Sequence, residues 1–579
     1  MTMLTKWGAA LDRSCPLPEY PRPQLRRESF YNLNGVWDYA VTPSGDEPEV
    51  WDGEIVVPFS PEAPLSGAAR GPAKDEYLHY RRGFTLPEGF QKSRVLLHFG
   101  AVDQIAEVFV NGVSAAKHSG GYWPFSADIT SLLREGENTL RVTVRDNADD
   151  PTFAYGKQRY KRGGMWYTAQ SGIWQTVWLE SVPEVYVKSL RITPEFDEAR
   201  VRIELETALE SSAAITCDVR AADGSFVAGS WAKGGVCVVP LPGFRAWTPD
   251  DPYLYTLDIT CGEDRAESYF AMRKFSYVEL DGHKVFGLNN APLFHNGLLD
   301  QGYYPDGLLT PPSDEAMVND IETMKRCGFN MLRKHIKIEP LRWYYHCDRL
   351  GMIVWQDMVS GGQPYSFLHV SALPTLGKVD LPDKDAKPYG RSGVLSRARF
   401  RREMADTVRL LYNCPCIALW TVFNEGWGQF DALDMANELK KLDPTRFIDH
   451  ASGWQDQGYE EMKSRHIYFR PVKLKNDGRA LALTEYGGYI LAVDGHRWTD
   501  KVFGYRICRN SAALAHDYEK LMLGQVLPHI RKEGLTAAVY TQITDVEEEL
   551  NGLMTYDREV LKIPEETLRE INAALRFDA

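Results

Sequence analysis

Residues 417–425 read IALWTVFNE, an apolar run of strand length that closes on an amide and a carboxylate. Residues 480–487, ALALTEYG, repeat the form and deliver Glu485. Neither run tolerates an unpaired carboxylate in its middle, so each reads as a buried strand that carries one glutamate at its C-terminal end. Outward from these two, the chain after about Tyr277 alternates apolar runs with amphipathic helices. LFHNGLL, NMLRKH, MIVWQD, IALWTVFNE, FIDH, HIYF, ALALTEYG and AAVYTQ make eight strands. Between them, Met317, Ile321 and Met324 share one helical face, and Phe400, Met404, Val408 and Leu411 share another. Eight short strands alternating with helices predict a (β/α)8 barrel over 277–579 rather than an open sheet. In a barrel the chemistry sits where strands end, and strands four and seven lie across the mouth from each other. Glu425 and Glu485 are therefore expected to converge over one pocket. The stretch from Val359 to Gly393, rich in Gly, Pro, Asp and Lys, is too long for a plain connection and is expected on the same face.

Upstream of Tyr277 helical periodicity is absent. The runs VLLHFG, IAEVFV, LRVTV and WQTVWLE, with turns such as Asn111-Gly112, predict an all-β domain over 1–182. YVKSLRIT, RVRIELE, AAITCDVR and YTLDITC predict a second, smaller β-sandwich over 183–276. Several domains suit a chain of 579 residues, and its 44% hydrophobic and 25% charged residues exclude a disordered or collagenous chain. A formal charge of −13 provides no field for phosphate backbones or anionic lipid, so no nucleic-acid partner is expected. No apolar run approaches the roughly 20 residues of a membrane span, and MTMLTKWGAALDRSCP lacks a secretory pattern, so a cytoplasmic location without membrane contact is expected. Nine scattered cysteines read as reduced thiols, with Cys414 and Cys416 as core packing rather than a zinc pair. Aromatics at 12% suit surfaces that stack on sugar rings.

Two facing carboxylates, one protonated and one ionised, are what glycosidic bond cleavage requires. The ionised group attacks the anomeric carbon; the protonated one donates to the leaving oxygen and later deprotonates water. No metal or cofactor is needed. A lone glutamate near a strand end more often caps a helix or pairs with a surface lysine. Two at matching strand ends favour the catalytic pair.

These residues resemble glycoside hydrolase family 2, over nearly the whole chain. WTVFNEGWG resembles the family's acid/base motif and LTEYG its nucleophile motif, while LNGVWDY and SGIWQTVWLE resemble the opening and closing strands of its first domain. The resemblance implies a jelly-roll sugar-binding-like domain, an immunoglobulin-like sandwich and a catalytic TIM barrel. It implies Glu425 as acid/base, Glu485 as nucleophile and Asn424 as the partner of the sugar 2-hydroxyl. Arg333 would hold the nucleophile ionised and Tyr468 would bond it. His335 lies two positions after Arg333, where β-galactosidases of the family place a substrate histidine three after. Asp357, ending WQDM, is a pocket candidate; Trp355, Trp427 and Tyr540 are candidates for a sugar-stacking wall, though aromatics at strand ends more often pack. In FHNGLLDQGYYPDG, one of His295, Asp300 and Asp306 is expected to contact sugar hydroxyls, Asp300 foremost. No Asn has Lys two residues later, the pair by which β-glucuronidases read a carboxylate, so a uronic acid is disfavoured. The reading is an exo-acting retaining β-galactosidase, with another neutral β-glycosidase or a silent carbohydrate-binding protein as alternatives. A homo-oligomer is expected from family habit, with a loop of a β domain or a neighbouring chain completing the pocket.

Overall fold

The computed structural model describes residues 3–209, 214–375 and 380–577. Ala213, the first residue of one predicted strand, and 376–379, within the predicted long loop, lie outside the described residues. The chain opens as two antiparallel sheets of four and six strands packed face to face. Their inner faces alternate as strand periodicity demands: Trp37, Tyr39, Leu78, Tyr80, Val108, Val142 and Val144 are buried together with Leu97 and Leu179. Asn111 and Gly112, both at positive φ, form the expected hairpin turn that pairs Val110 with Val113. A three-stranded and a four-stranded sheet follow and enclose Val201, Ile203, Val219, Val239, Leu257 and Ile259. Cys217, Cys237 and Cys261 belong to this second core as free thiols.

The barrel consists of β1 (His295–Asp300), β2 (Met331–Lys334), β3 (Ile353–Asp357), β4 (Ile417–Thr421), β5 (Phe447–Asp449), β6 (Met462–Ile467), β7 (Ala480–Gly487) and β8 (Leu535–Thr541). Every predicted strand is present. Their order is β5-β4-β3-β2-β1-β8-β7-β6, all parallel, a ring that is nearly closed. Across the remaining seam Ser464 Oγ donates to Asp449 Oδ1 at 3.0 Å and to the Ala451 carbonyl at 3.0 Å. The helix Asp314–Arg326 shows why its sequence folds locally: the Ser313 hydroxyl caps it by accepting from Ala316 N, with Asp314 and Glu315 in the first turn and Lys325 and Arg326 in the last.

A hairpin of Phe275–Leu280 and His283–Leu288 closes the floor of the barrel. Phe286 stacks on Phe447 with centroids 4.3 Å apart and meets Trp355 and His295 edge-on or tilted. This plug corrects two expectations. Trp355 is fully buried in it and donates from Nε1 to His295 Nδ1 at 3.0 Å, so it cannot wall a sugar. His295 is a neutral core histidine, its pKa pushed down to about 3 by burial. Cys414 and Cys416 are buried free thiols, as expected. Among the described residues, no helix is long and apolar enough to cross a membrane.

Candidate active site

Arg333 is the hub of the barrel mouth. It is fully buried, and its five N–H groups meet five acceptors. Nε and Nη2 donate to Asp357 Oδ1 and Oδ2 at 2.9 and 3.0 Å. Nη1 donates to the Thr484 carbonyl at 3.0 Å and to Glu485 Oε1 at 3.1 Å, and Nη2 also donates to Asn424 Oδ1 at 2.8 Å. One side chain on β2 thus joins the ends of β3, β4 and β7. His335 Nδ1 lies 2.7 Å from Asp357 Oδ2, which completes the set behind Glu485.

Glu485 is nearly enclosed, its side chain 7% exposed. The Tyr468 hydroxyl donates to Oε2 at 2.5 Å and lies 2.9 Å from Thr541 Oγ1. Burial opposes ionisation of this carboxyl, but His466, Arg333 and His335 beside it and the bond from Tyr468 outweigh it and hold the pKa at about 2. Asp357 is likewise held at about 2, Arg333 and His335 overcoming its burial. Burial and the Glu485 charge together push the Tyr468 hydroxyl upward, so it stays a donor.

Glu425 is placed differently. It lies four residues beyond the end of β4, in a left-handed conformation at φ +56°, and its side chain is 23% exposed. Its amide donates to the Ser452 carbonyl at 2.9 Å, and its own carbonyl accepts from Trp454 Nε1 at 2.8 Å. This turn lifts Glu425 over the mouth instead of closing the strand. Glu485, for its part, lies inside β7, where the pairing with β8 shifts register between Leu483 and Tyr486. The bulge aims an in-strand carboxylate into the barrel. Both glutamates therefore reach the mouth, by a turn and a bulge rather than by closing their strands.

His466 was not singled out in the sequence. Its Nδ1 lies 2.9 Å from Glu425 Oε1 and 3.6 Å from Glu485 Oε2, and its Nε2 lies 3.2 Å from Ser452 Oγ. It stands two residues before Tyr468, so the two-residue period of a strand puts both on one face, and that signal was available. One ligand atom each from Glu425, His466 and Glu485 lie within 4.8 Å of one another. That spacing would fit a divalent cation; equally, it leaves the carboxylates close to the about 5–5.5 Å of a retaining glycosidase.

The remaining candidates divide. Asn424 uses Oδ1 on Arg333, and among the described residues its Nδ2 makes no protein hydrogen bond. Trp427, whose Nε1 has no partner among the described residues, lies edge-on to Trp166 at 5.1 Å and near Tyr155 at 5.8 Å. Tyr540 is a second correction among the aromatics: it is fully buried among Tyr486, Tyr489 and Tyr518. Asp300 is drawn away from sugar by a buried lysine, since Lys334 Nζ donates to its Oδ2 at 2.6 Å and to Glu339 at 2.9 Å. Asp306 accepts from the amide and hydroxyl of Thr5, both at 2.7 Å, and so anchors the N-terminal segment.

Two further segments cover the mouth. From the first sandwich, residues 153–168 cross to the barrel: Tyr155 and Gly156 donate to the Ser360 carbonyl, and Thr168 N donates to Glu547 Oε1 at 2.8 Å. A loop of a β domain thus reaches the site, as expected. The long loop after β3 forms a wide helical turn over Leu368–Ala372; the Val370 carbonyl accepts from Trp454 and the His369 carbonyl from Gln455, so it lies beside Glu425.

This barrel, with its paired carboxylates and two β-sandwiches ahead of it, defines a glycoside-hydrolase type of protein. The family models agree: "Glycosyl hydrolases family 2, sugar binding domain" matches residues 64–183, "Glycosyl hydrolases family 2" matches 185–273 and "Glycosyl hydrolases family 2, TIM barrel domain" matches 310–474. The chain belongs to glycoside hydrolase family 2. It is similar to a β-galactosidase of Halalkalibacterium halodurans, 23% identical over 78% of this chain and 45% of that one. A β-glucuronidase of Paenibacillus borealis is 22% identical over 82% of this chain and 85% of that one. Among solved structures, an uncultured Clostridium sp. β-glucuronidase superposes with a TM-score of 0.75 at 19% identity, over 96% of this chain and all of that one. The chain spans about half the length of the β-galactosidases of Halalkalibacterium halodurans and Thermoanaerobacter pseudethanolicus that it matches.

Proposed function

We propose that the protein is an exo-acting, retaining β-glycosidase that hydrolyses terminal neutral β-glycosides, β-D-galactosides first among them. Glu485 acts as nucleophile and Glu425 as acid/base. The observation that carries the reading is the asymmetry of the two carboxylates. Glu485 is enclosed, bonded to a guanidinium and a tyrosine hydroxyl, and held at about 2, so it is ionised when the substrate arrives. Glu425 is the more exposed of the two and bonds a histidine. Attack by Glu485 on the anomeric carbon forms a glycosyl ester while Glu425 protonates the departing oxygen; Glu425 then removes a proton from water, which cleaves the ester with net retention. Asn424 Nδ2 is left to donate to the sugar 2-hydroxyl, and Trp427 with Trp166 forms an aromatic edge at the entrance.

A uronide is the second reading, favoured by one observation: Lys157, from the first sandwich, is a cation whose neighbour Gly156 rests on the carbonyl of Ile336, the residue after His335. The test is a panel of nitrophenyl β-galactoside, β-glucoside, β-mannoside, β-glucuronide and α-L-arabinopyranoside, run with wild type and Glu485→Ala. Turnover of a neutral sugar that the variant loses and azide restores supports the proposal. Binding without turnover of any sugar would make the barrel a carbohydrate-binding scaffold. We also propose a homo-oligomer, which sedimentation velocity would detect.

A further inference from the structure

Two charged groups at the mouth come from segments remote from the strand ends that hold the glutamates. Lys157 lies on the loop of the first sandwich. Its neighbour Gly156, at φ +63°, rests directly on the residue after His335: a Cβ there would come within 3.0 Å of the Ile336 carbonyl oxygen and 2.8 Å of the Tyr122 hydroxyl. The Lys157 carbonyl accepts from Tyr167 N at 2.9 Å, and its Nζ lies 5.9 Å from the Tyr167 ring. Among the described residues, no carboxylate lies within ion-pair distance of this half-buried ammonium. Glu549 belongs to the segment after β8 and is 4% exposed. The Tyr167 hydroxyl donates to it, and Gln542 lies beside it, one residue beyond the Thr541 that touches Tyr468.

Tyr167 therefore buttresses both groups, and its ring meets Tyr303 at 4.8 Å, just past β1. β1 lies between β2, which carries Arg333, and β8, which carries Thr541. Lys157 and Glu549 both lie against Tyr167, whose ring meets Tyr303 three residues beyond Asp300, while Lys334 holds Asp300 itself. Burial raises the Glu549 pKa while Lys157 acts against it, and Lys157 in turn helps to depress His335, after burial. Among the described residues no direct ion pair closes between the two, and Tyr167 is their shared neighbour. An ammonium and a carboxylate that share Tyr167 as a neighbour offer one donor and one acceptor to the hydroxyls of a sugar ring. A sugar carboxylate in the same place would meet the negative charge of Glu549.

We propose that Lys157 and Glu549 form a hydroxyl-reading subsite that selects a neutral sugar ring, Glu549 accepting from one hydroxyl and Lys157 donating to its neighbour. The proposal rests on the β-glycosidase reading above. It is tested by kcat/KM for nitrophenyl β-galactoside, its deoxy analogues lacking the 3- or 4-hydroxyl, and nitrophenyl β-glucuronide, with wild type, Lys157→Met and Glu549→Gln. Glutamine keeps an acceptor for Tyr167, and Lys157 is half-exposed, so both variants should fold; thermal melting checks this. Each variant is expected to lose about 10- to 100-fold on the galactoside, as for one charge-assisted hydrogen bond. The penalty for one missing substrate hydroxyl should vanish in Glu549→Gln, and the preference for galactoside over glucuronide should narrow. Variants within twofold of wild type on every substrate would overturn the proposal. So would a wild type that prefers the glucuronide and loses that preference with Lys157→Met. A wild type that turns over no glycoside would overturn the glycosidase reading itself, and this subsite with it.

Discussion

Replacing Arg333 with methionine removes the hub of the mouth while keeping its bulk. Five hydrogen bonds disappear, and Asp357 and Glu485 are left as buried carboxylates without their cation. Removing one partner of a buried ion pair costs about 3–5 kcal/mol, here in the stability of the barrel. The catalytic cost is separate. The charge-assisted bond to Glu485 contributes about 1.5–3 kcal/mol, and Asn424 loses the bond that fixes its amide. Because these effects are not additive, the expected fall in kcat/KM is about 100- to 10,000-fold. The pH profile supplies a second reading. In the wild type Glu485 is held at about 2, so the nucleophile stays ionised across the assay range. Without Arg333 the opposing effect of burial is less offset and the carboxyl rises, so the acid limb of the profile must move to higher pH. Arg333→Lys keeps the charge but offers three donors instead of five, and should fall between the two. The assay is kcat/KM against pH on the best nitrophenyl glycoside, with melting curves for all three proteins. A methionine variant within threefold of wild type, with an unmoved acid limb, would refute the assignment of Arg333 and the electrostatics built on it.

His466→Asn should lower kcat by about 10- to 100-fold with little change in KM, because it removes a bond to Glu425 rather than to the sugar; a rise in KM alone would contradict this. Replacing residues 366–390 with a short Gly/Ser linker should change aglycone preference, since this loop lies beside Glu425, and should lower the melting temperature, since Ala386 and Tyr389 are buried and Asp383 accepts from Ala432 N; an unchanged substrate profile would sink that expectation. Asp357, lowered from 3.8 to about 2, contributes stability that is present above about 3.8 and lost as pH falls through about 2. Urea unfolding at a series of pH values should show that loss for wild type and a smaller one for Asp357→Asn.

The fold was legible because it is written in periodicity. Eight apolar runs with helical patterns between them can bury their faces as a barrel, and alternating runs upstream can bury theirs as sandwiches. Glu425 and Glu485 were legible because polar groups at the ends of buried runs need a reason, whereas Arg333 entered only through the resemblance to glycoside hydrolase family 2. Trp355, Tyr540 and His295 were misread for the same cause in reverse. A strand's sequence does not say which of its residues faces the mouth and which the floor, and the hairpin that fills the floor fixes that only in three dimensions. Asp300 was misread because its partner Lys334 sits on the neighbouring strand, 34 residues away. Lys157 and Glu549 carry no local signal, since their proximity depends on the first sandwich crossing the barrel mouth.

The central claim is that Glu485 attacks the anomeric carbon, and trapping the ester tests it most directly. Wild type and Glu425→Ala would be incubated with activated 2-deoxy-2-fluoro β-glycosides of galacto and glucurono configuration, then measured as intact protein and mapped by peptide mass spectrometry. The account predicts one fluoroglycosyl group per chain, carried by Glu485 in the peptide LTEYG. A label on Glu425 or any other residue, or glycoside turnover with inversion and no adduct, would contradict it.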